Sequence, residues 1–312
     1  VDVFSDVIAS ARVGVPKFTR SQRVGRWGNR FGPYPGAGFH VVLQGSCWLI
    51  PPAGEPVALS AGDVVFLPHG VQHGMSDSPG RKVSELPPDA GVDNIGEYDE
   101  APDQALLLCG AYRLDRGLAH PFLRSLPEVV HLPAHPGRRS GLDAAVDLLR
   151  ADLAENRPGA EAAQPALLDL LLVYLLREWL DSESGRSETG WGAALTDPAI
   201  TAALHQIHRD PARRWTVQEL AREAGLSRTV FARRFSALVG QPPLTYLTWW
   251  RLSTAARMLR SGNASLASIA HQVGYTSEFA FAAAFKREFG VAPGAYRRQA
   301  PERTGAQVLA EA

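Results

Sequence analysis

Two stretches of this chain, residues 216–240 and 266–290, repeat one pattern 49 to 50 residues apart, and no other feature restricts the fold as much. Ala221 and Gly225 recur as Ala270 and Gly274. After a one-residue insertion in the second turn, Phe231, Phe235, Gly240, Pro243 and Tyr246 recur as Phe281, Phe285, Gly290, Pro293 and Tyr296. Seven positions holding one register mark a duplicated supersecondary unit. Each copy reads as a short helix, a glycine turn and a second helix. Tandem units of this kind are suited to hold two helices against one face of DNA.

In the first unit, residues 217–224 are the supporting helix, Gly225 supplies a left-handed turn, and Ser227 caps the following helix. Val230, Phe231 and Phe235 are expected to pack, which leaves Arg228, Thr229, Ala232, Arg233 and Arg234 for groove and phosphates. The planar guanidinium fork matches guanine edges and phosphates, although any single arginine also suits a solvated face. The second unit differs. Ser277 is the expected cap, and Phe279, Phe281 and Phe285 bring apolar bulk. Ala282, Ala283 and Ala284 leave no long donor mid-helix. Glu278 suits a cytosine amine and Phe279 a thymine methyl, or either simply caps or packs. Lys286 and Arg287 are expected on phosphates. Base specificity should therefore come mainly from the first unit, with the second contributing position and non-specific affinity. The intervening helix, residues 244–260 with Trp249-Trp250, would space the two recognition helices about one DNA turn apart, roughly 34 Å.

Charge supports this division. The chain is formally neutral, yet residues 195–300 hold 14 Lys/Arg against 6 Asp/Glu, and the remainder 18 against 26. A basic C-terminal third on an acidic body is the footprint of a DNA-binding module joined to something else. A length of 312 residues suggests about two domains. Without a signal-peptide pattern or a spanning apolar run, and with two cysteines, a cytoplasmic protein without a membrane segment is expected.

From residue 39 to about 114 the texture is β: short apolar runs (39–43, 47–50, 64–67, 105–108) separated by Gly, Pro, Asp and Ser clusters. Residues 1–30 read as a short amphipathic start followed by a basic loop, and residues 86–102 as a long acidic loop. Around Leu142 the period becomes helical. A second helix, residues 166–181 behind Pro165, is apolar on more than one face and must be covered by its own chain or by a second subunit. Residues 182–192 form a polar, glycine-rich linker. Asp197-Pro198 and the Thr216/Glu219 capping box open two further helices.

With these residues in view, the region 195–300 resembles the DNA-binding domain of the AraC/XylS family of bacterial transcription regulators. The resemblance rests on Gln218-Glu-Leu-Ala, Gly225-Leu-Ser, Tyr246-Leu-Thr-Trp-Trp-Arg251, Ala255-Ala-Arg-Met-Leu259, Val273-Gly-Tyr275 and Phe285-Lys-Arg-Glu-Phe-Gly-Val-Ala-Pro293. It implies base readers at Thr229, Ala232 and Arg233, and at Glu278, Phe279 and Ala283; many members carry Arg where this chain has Ala283. It further implies double-stranded promoter DNA and RNA polymerase as partners, a homodimer, and activation.

The stretch from Gly62-Asp through Pro68-His-Gly70 to His73 resembles the second motif of the cupin barrel, in which the final His is a metal ligand in metal-binding members. The first cupin motif, with its His pair and Glu, is missing. His40 is the nearest substitute, on the face that points into the barrel. The segments around Cys47-Trp48, Leu108-Cys-Gly-Ala-Tyr112 and Leu126-Pro-Glu-Val-Val-His131 are similar to a cupin type fused to AraC-family domains, some of which respond to oxidants or metals. His40, His73 and Cys109, with Cys47 or His69, suit zinc or another transition metal. Cys47 and Cys109 alternatively serve as an oxidant-sensing pair, or are plain buried strand residues.

The expected class is therefore α+β and multidomain. Residues 1–135 form a cupin β-barrel sensor, 136–182 a helical dimerisation segment, 183–194 a linker, 195–300 an all-α domain of two helix-turn-helix motifs, and 301–312 a disordered tail. The reading is a non-enzymatic regulator that senses a metal, oxidant or small molecule. A metal-dependent cupin enzyme and an architectural DNA-binding protein are the alternatives.

Overall fold

The computed structural model describes residues 2–11, 16–90, 104–112, 120–134, 140–155, 158–182 and 189–298. They fall into two compact units. One holds residues 16–112 and 126–182; the other holds 2–11, 120–125 and 189–298.

The first unit is built on two antiparallel sheets. Strands β1 (Lys17–Val24), β3 (Ala37–Gln44), β6 (Val64–Leu67), β8 (Gln104–Tyr112) and β9 (Val130–Leu132) make a five-stranded sheet in the order β1-β8-β3-β6-β9. Strands β2 (Gly28–Phe31), β4 (Ser46–Ile50), β5 (Val57–Ser60) and β7 (His73–Ser76) make a four-stranded sheet in the order β2-β7-β4-β5. Val42, Val65, Leu67 and Leu107 of the first sheet share one apolar cluster with Cys47, Leu49, Leu59 and Met75 of the second. Alternation along β3 sends His40 and Val42 to one face and Phe39 and Val41 to the other. Both faces are buried, because helix α3 (Gly141–Glu155) packs against β3.

The β runs expected from sequence fall within β3, β4, β6 and β8. The stretch expected to be a basic loop is instead β1 and β2, with a helix α1 (Val3–Ala11) ahead of them. β1 is an edge strand, where polar and charged residues are tolerated, so its apolar signal is weak.

Helix α4 (Ala160–Asp181) buries Leu168, Leu171, Leu172, Leu175, Leu176 and Trp179 within its own unit, chiefly against α3 and β9. The Tyr112 hydroxyl donates to the Leu168 carbonyl at 2.6 Å. Most of its apolar surface is thus covered by its own chain; Leu170 and, on α3, Leu148 remain exposed.

The second unit is all helical. It comprises α1, α2 (Pro121–Ser125), α5 (Gly190–Thr196), α6 (Pro198–Arg209), α7 (Val217–Glu223), α8 (Arg228–Val239), α9 (Pro243–Ser261), α10 (Leu266–Gln272), α11 (Glu278–Phe289) and α12 (Pro293–Arg298). Two boundaries differ from the sequence expectation. Residues 2–11 and 120–125 group with the helical unit rather than with the strands. The expected linker yields to α5, because Trp191 is buried there. Residues 91–103, most of the expected acidic loop, lie outside the described residues, as do 183–188 and the tail 301–312.

Candidate nucleic-acid interface and sensor core

Both repeats form helix-turn-helix units by the same local physics. The Thr216 hydroxyl accepts from the Glu219 amide at 3.1 Å while Glu219 reaches back to the Thr216 amide at 2.9 Å, which starts α7. Gly225 and Gly274 take φ of +66° and +86° in the two turns, a region that side chains disfavour. Gly274 is the more constrained. A Cβ there would lie 2.7 Å from the Ala212 carbonyl, whereas Gly225 faces open space.

On α8 the packing face is Phe231, Phe235, Leu238 and Val239, with the two phenyl rings 5.5 Å apart. Val230, expected to pack, is 39% exposed; it sits beside Thr229 on the free side. Arg228, Thr229 and Arg233 are exposed and Ala232 is half-buried. Arg234 has another task. Its Nε donates to Asp197 Oδ2 at 2.6 Å, and the other carboxylate oxygen of Asp197 accepts the Ala199 and Ile200 amides. This charge-assisted pair ties α8 to the start of α6 and gives Arg234, expected on DNA, a carboxylate partner within its own unit.

On α11 the rings of Phe281 and Phe285 lie 5.6 Å apart on the packing face, repeating the α8 geometry. Glu278, Phe279, Ala283, Lys286 and Arg287 are exposed, and Phe279 at 87% is unusually so for a phenylalanine. Ser277 occupies the cap position, but its side chain makes no capping hydrogen bond, contrary to expectation. Ser227 makes that bond on α8, to the Val230 amide at 3.4 Å.

In the strand unit, His40 on β3 and His73 on β7 meet, Nε2 to Nε2, at 2.6 Å, and both are buried. Their tautomers follow from their partners. His73 Nδ1 donates to the Val71 carbonyl at 2.8 Å, so its Nε2 is an acceptor and His40 Nε2 donates to it. His40 Nδ1 is then a bare acceptor, and it is buried without a hydrogen-bond partner. Burial holds His73 down to about 4 and His40 well below the ordinary imidazole value, so both are neutral at pH 7. The Phe31 ring stacks on His73 and meets His40 edge-on.

Of the residues expected around a metal, His40 and His73 meet directly through their ring nitrogens. His69 points its Nε2 at the Leu126 carbonyl, 2.9 Å away. Cys109 is opposite His40 in the β3–β8 register, yet among the described residues no three His, Cys, Asp or Glu side chains converge as a metal site. Cys47 and Cys109 are buried free thiols in one apolar cluster. Burial raises Cys47 to about 12 and Cys109 well above the ordinary thiol value, which keeps both protonated and weakly nucleophilic.

A third cluster was not anticipated from sequence. His120, His208 and Tyr246 lie within the helical unit, all buried, and are joined by hydrogen bonds among Trp191, Trp249 and Trp250. One signal was readable. On the amphipathic helix α6, Ile200, Ala203, Leu204, Ile207 and His208 share the buried face, so His208 sits within an apolar stripe.

Comparison with known proteins adds the following. The family model described as "Cupin" matches residues 2–181, and that described as "Helix-turn-helix domain" matches residues 220–299. An AraC-like transcription regulator of Streptomyces lividans is 38% identical over 281 residues, covering 88% of this chain and 90% of its own. The RCS-specific HTH-type transcriptional activator RclR of Escherichia coli is 32% identical over 263 residues, covering 84% of each. Among solved structures, the DNA-binding domain of AdpA in complex with a target DNA is 32% identical, with a TM-score of 0.31; the match covers 33% of this chain and 92% of that one.

Proposed function

Since the chain belongs to the AraC-like transcription regulators with an N-terminal cupin domain, we propose that it reads promoter DNA chiefly through Arg228, Thr229 and Arg233, with Glu278 and Phe279 in a lesser role. One observation carries this: the exposed face of α8 is cationic and hydrogen-bonding, while Phe231 and Phe235 fix the helix from behind. Lys286 and Arg287 of α11, with Ser277, supply phosphate contacts. Arg233→Ala should weaken binding to a duplex selected from a random pool by about 1–3 kcal/mol and relax specificity. An equal loss on random DNA, read by fluorescence anisotropy, would reassign Arg233 to the phosphate backbone.

The regulator acts as a cytoplasmic, non-enzymatic homodimer that recruits RNA polymerase to activate transcription. Self-association runs through the exposed Leu148 and Leu170 of the α3–α4 hairpin; Leu170→Glu should yield monomers in sedimentation, and an unchanged dimer removes this surface. In the sensor, the His40–His73 pair is the polar seat for the effector. Zinc or another transition metal held there would take two imidazoles from the protein and its remaining ligands from effector or water. Zinc dialysis of the full chain, with and without His73→Ala, tests it. Stoichiometric zinc that His73→Ala abolishes supports the metal reading. No bound zinc limits the seat to a hydrogen-bond acceptor, His40 Nδ1, for an effector bearing N–H or O–H.

A further inference from the structure

Four hydrogen bonds in the helical unit form one directed chain. The Phe122 amide donates to His120 Nδ1 at 3.1 Å, which fixes the tautomer and leaves the proton on His120 Nε2. That nitrogen donates to the Tyr246 hydroxyl at 2.9 Å. The hydroxyl proton then goes to His208 Nε2 at 2.7 Å, and His208 Nδ1 donates to Asp6 Oδ2 at 3.0 Å. Each link holds one proton, and no link can accept a second without facing two donors.

The chain spans four elements: α2 with the residue preceding it, α9, α6 and α1. Its ends are the segments on either side of β1–β8 in sequence, residues 2–11 before β1 and 120–125 between β8 and β9. They also meet directly, Phe4 against Phe122 with ring centroids 6.1 Å apart. The middle of the chain leans on DNA-binding machinery: the Tyr246 ring meets Phe235 of α8 edge-on at 6.0 Å. The charged or titratable groups that act on the relay are Asp6 on α1, Arg124 on α2, His205 on α6 and Arg257 on α9. No element of the second repeat takes part.

We propose that this relay, Phe122–His120–Tyr246–His208–Asp6, is a latch that holds the two segments on either side of β1–β8 on the back of the first helix-turn-helix unit. Through it the sensor controls the first recognition helix and not the second. A pull on residues 2–11 or 120–125 breaks a link, and because polarity runs one way along the chain, the loss of one link deprives its neighbours of a settled donor. The control over DNA rests on the reading that α8 contacts bases; the latch itself does not.

Tyr246→Phe keeps the ring against Phe235 and removes the central hydroxyl. In hydrogen–deuterium exchange on the full chain at pH 7.5, amides of residues 3–11 and 120–125 should exchange about tenfold faster or more, with residues 266–289 unchanged. Unaltered exchange in the two segments, or an equal rise in 266–289, overturns the latch. The second test lies at the half-buried end of the relay and does not depend on Tyr246→Phe folding. Asp6→Asn keeps an acceptor for His208 and should preserve protection, whereas Asp6→Ala should loosen residues 3–11; equal behaviour of the two overturns the proposal. On a duplex selected from a random pool by the wild-type chain, Tyr246→Phe should shift affinity several-fold. The shift should vanish when the half-site under the first repeat is scrambled. Loosened segments with unchanged affinity would overturn the control over DNA and leave the base-reading proposal, tested by Arg233→Ala, standing.

Discussion

The two helix-turn-helix repeats share a skeleton and differ on both of its sides. In each, a pair of phenylalanines one helical turn apart is backed by a tyrosine 50 residues from its counterpart: Phe231, Phe235 and Tyr246 in one, Phe281, Phe285 and Tyr296 in the other. Behind the first skeleton lie two imidazoles and three indoles. Around the second lie aliphatic residues with Tyr275 and Phe289 but no imidazole or indole among the described residues, and the Arg260 guanidinium sits 4.8 Å above the Tyr296 ring. In front, α8 shows Thr229 and Arg233 where α11 shows Phe279 and Ala283. Packing tolerates little change in a close-packed core, while the surfaces answer only to what they touch. This difference is the ground on which the first repeat is proposed for reading and control, and the second for grip.

The largest test asks whether the skeletons are energetically alike. Phe235 and Phe285 are fully buried, and truncation of either to alanine should cost about 3–5 kcal/mol in urea unfolding. A loss below about 1 kcal/mol in one repeat alone would end the claim that a common frame supports both.

Acid separates the two repeats next. Burial, foremost, depresses the imidazoles of His120 and His208 below the ordinary value of 6.5; for His208 the Asp6 carboxylate opposes this in part. Between the lowered folded values and 6.5, the unfolded chain binds more protons than the folded one. Stability of this cluster is therefore flat above pH 6.5 and falls as pH drops below it, by at most about 1.4 kcal/mol per pH unit for each group. The histidine of the second repeat, His271, is exposed. Exchange at pH 5.5 compared with 7.5, corrected for intrinsic rates, should accelerate in residues 3–11 and 120–125 more than in 266–289. Equal acceleration would place the acid sensitivity elsewhere.

The repeats were legible in sequence because their determinants are local: caps, a positive-φ glycine and apolar residues at helical spacing. Central strands were legible through continuous apolar runs. β1, at an edge with Arg20 and Arg23, was not, since an edge strand needs little apolar surface. Pairings between distant residues were also hidden. Nothing in the spacing of Asp197 and Arg234, or of Asp6 and His208, foretells contact, so the structural pairing of Arg234 was not read and His120 and His208 were passed over. His40 and His73 were found because a motif placed one and strand alternation the other.

The smallest test concerns the caps, where sequence reading treated Ser227 and Ser277 alike. Ser227 accepts from the Val230 amide, so Ser227→Ala leaves an orphan donor and should lower stability by about 0.5–1 kcal/mol. Ser277 makes no such bond and is exposed at the start of α11, next to Phe279. Ser277→Ala should leave the unfolding midpoint unchanged. Its hydroxyl and the free amides of the first turn remain available to a phosphate, so the same substitution should weaken binding to selected and random duplexes alike. If Ser277→Ala instead destabilises the fold as much as Ser227→Ala and leaves DNA affinity intact, the serine is an ordinary cap. The functional contrast between the repeats would then rest on α8's arginines and the relay behind them.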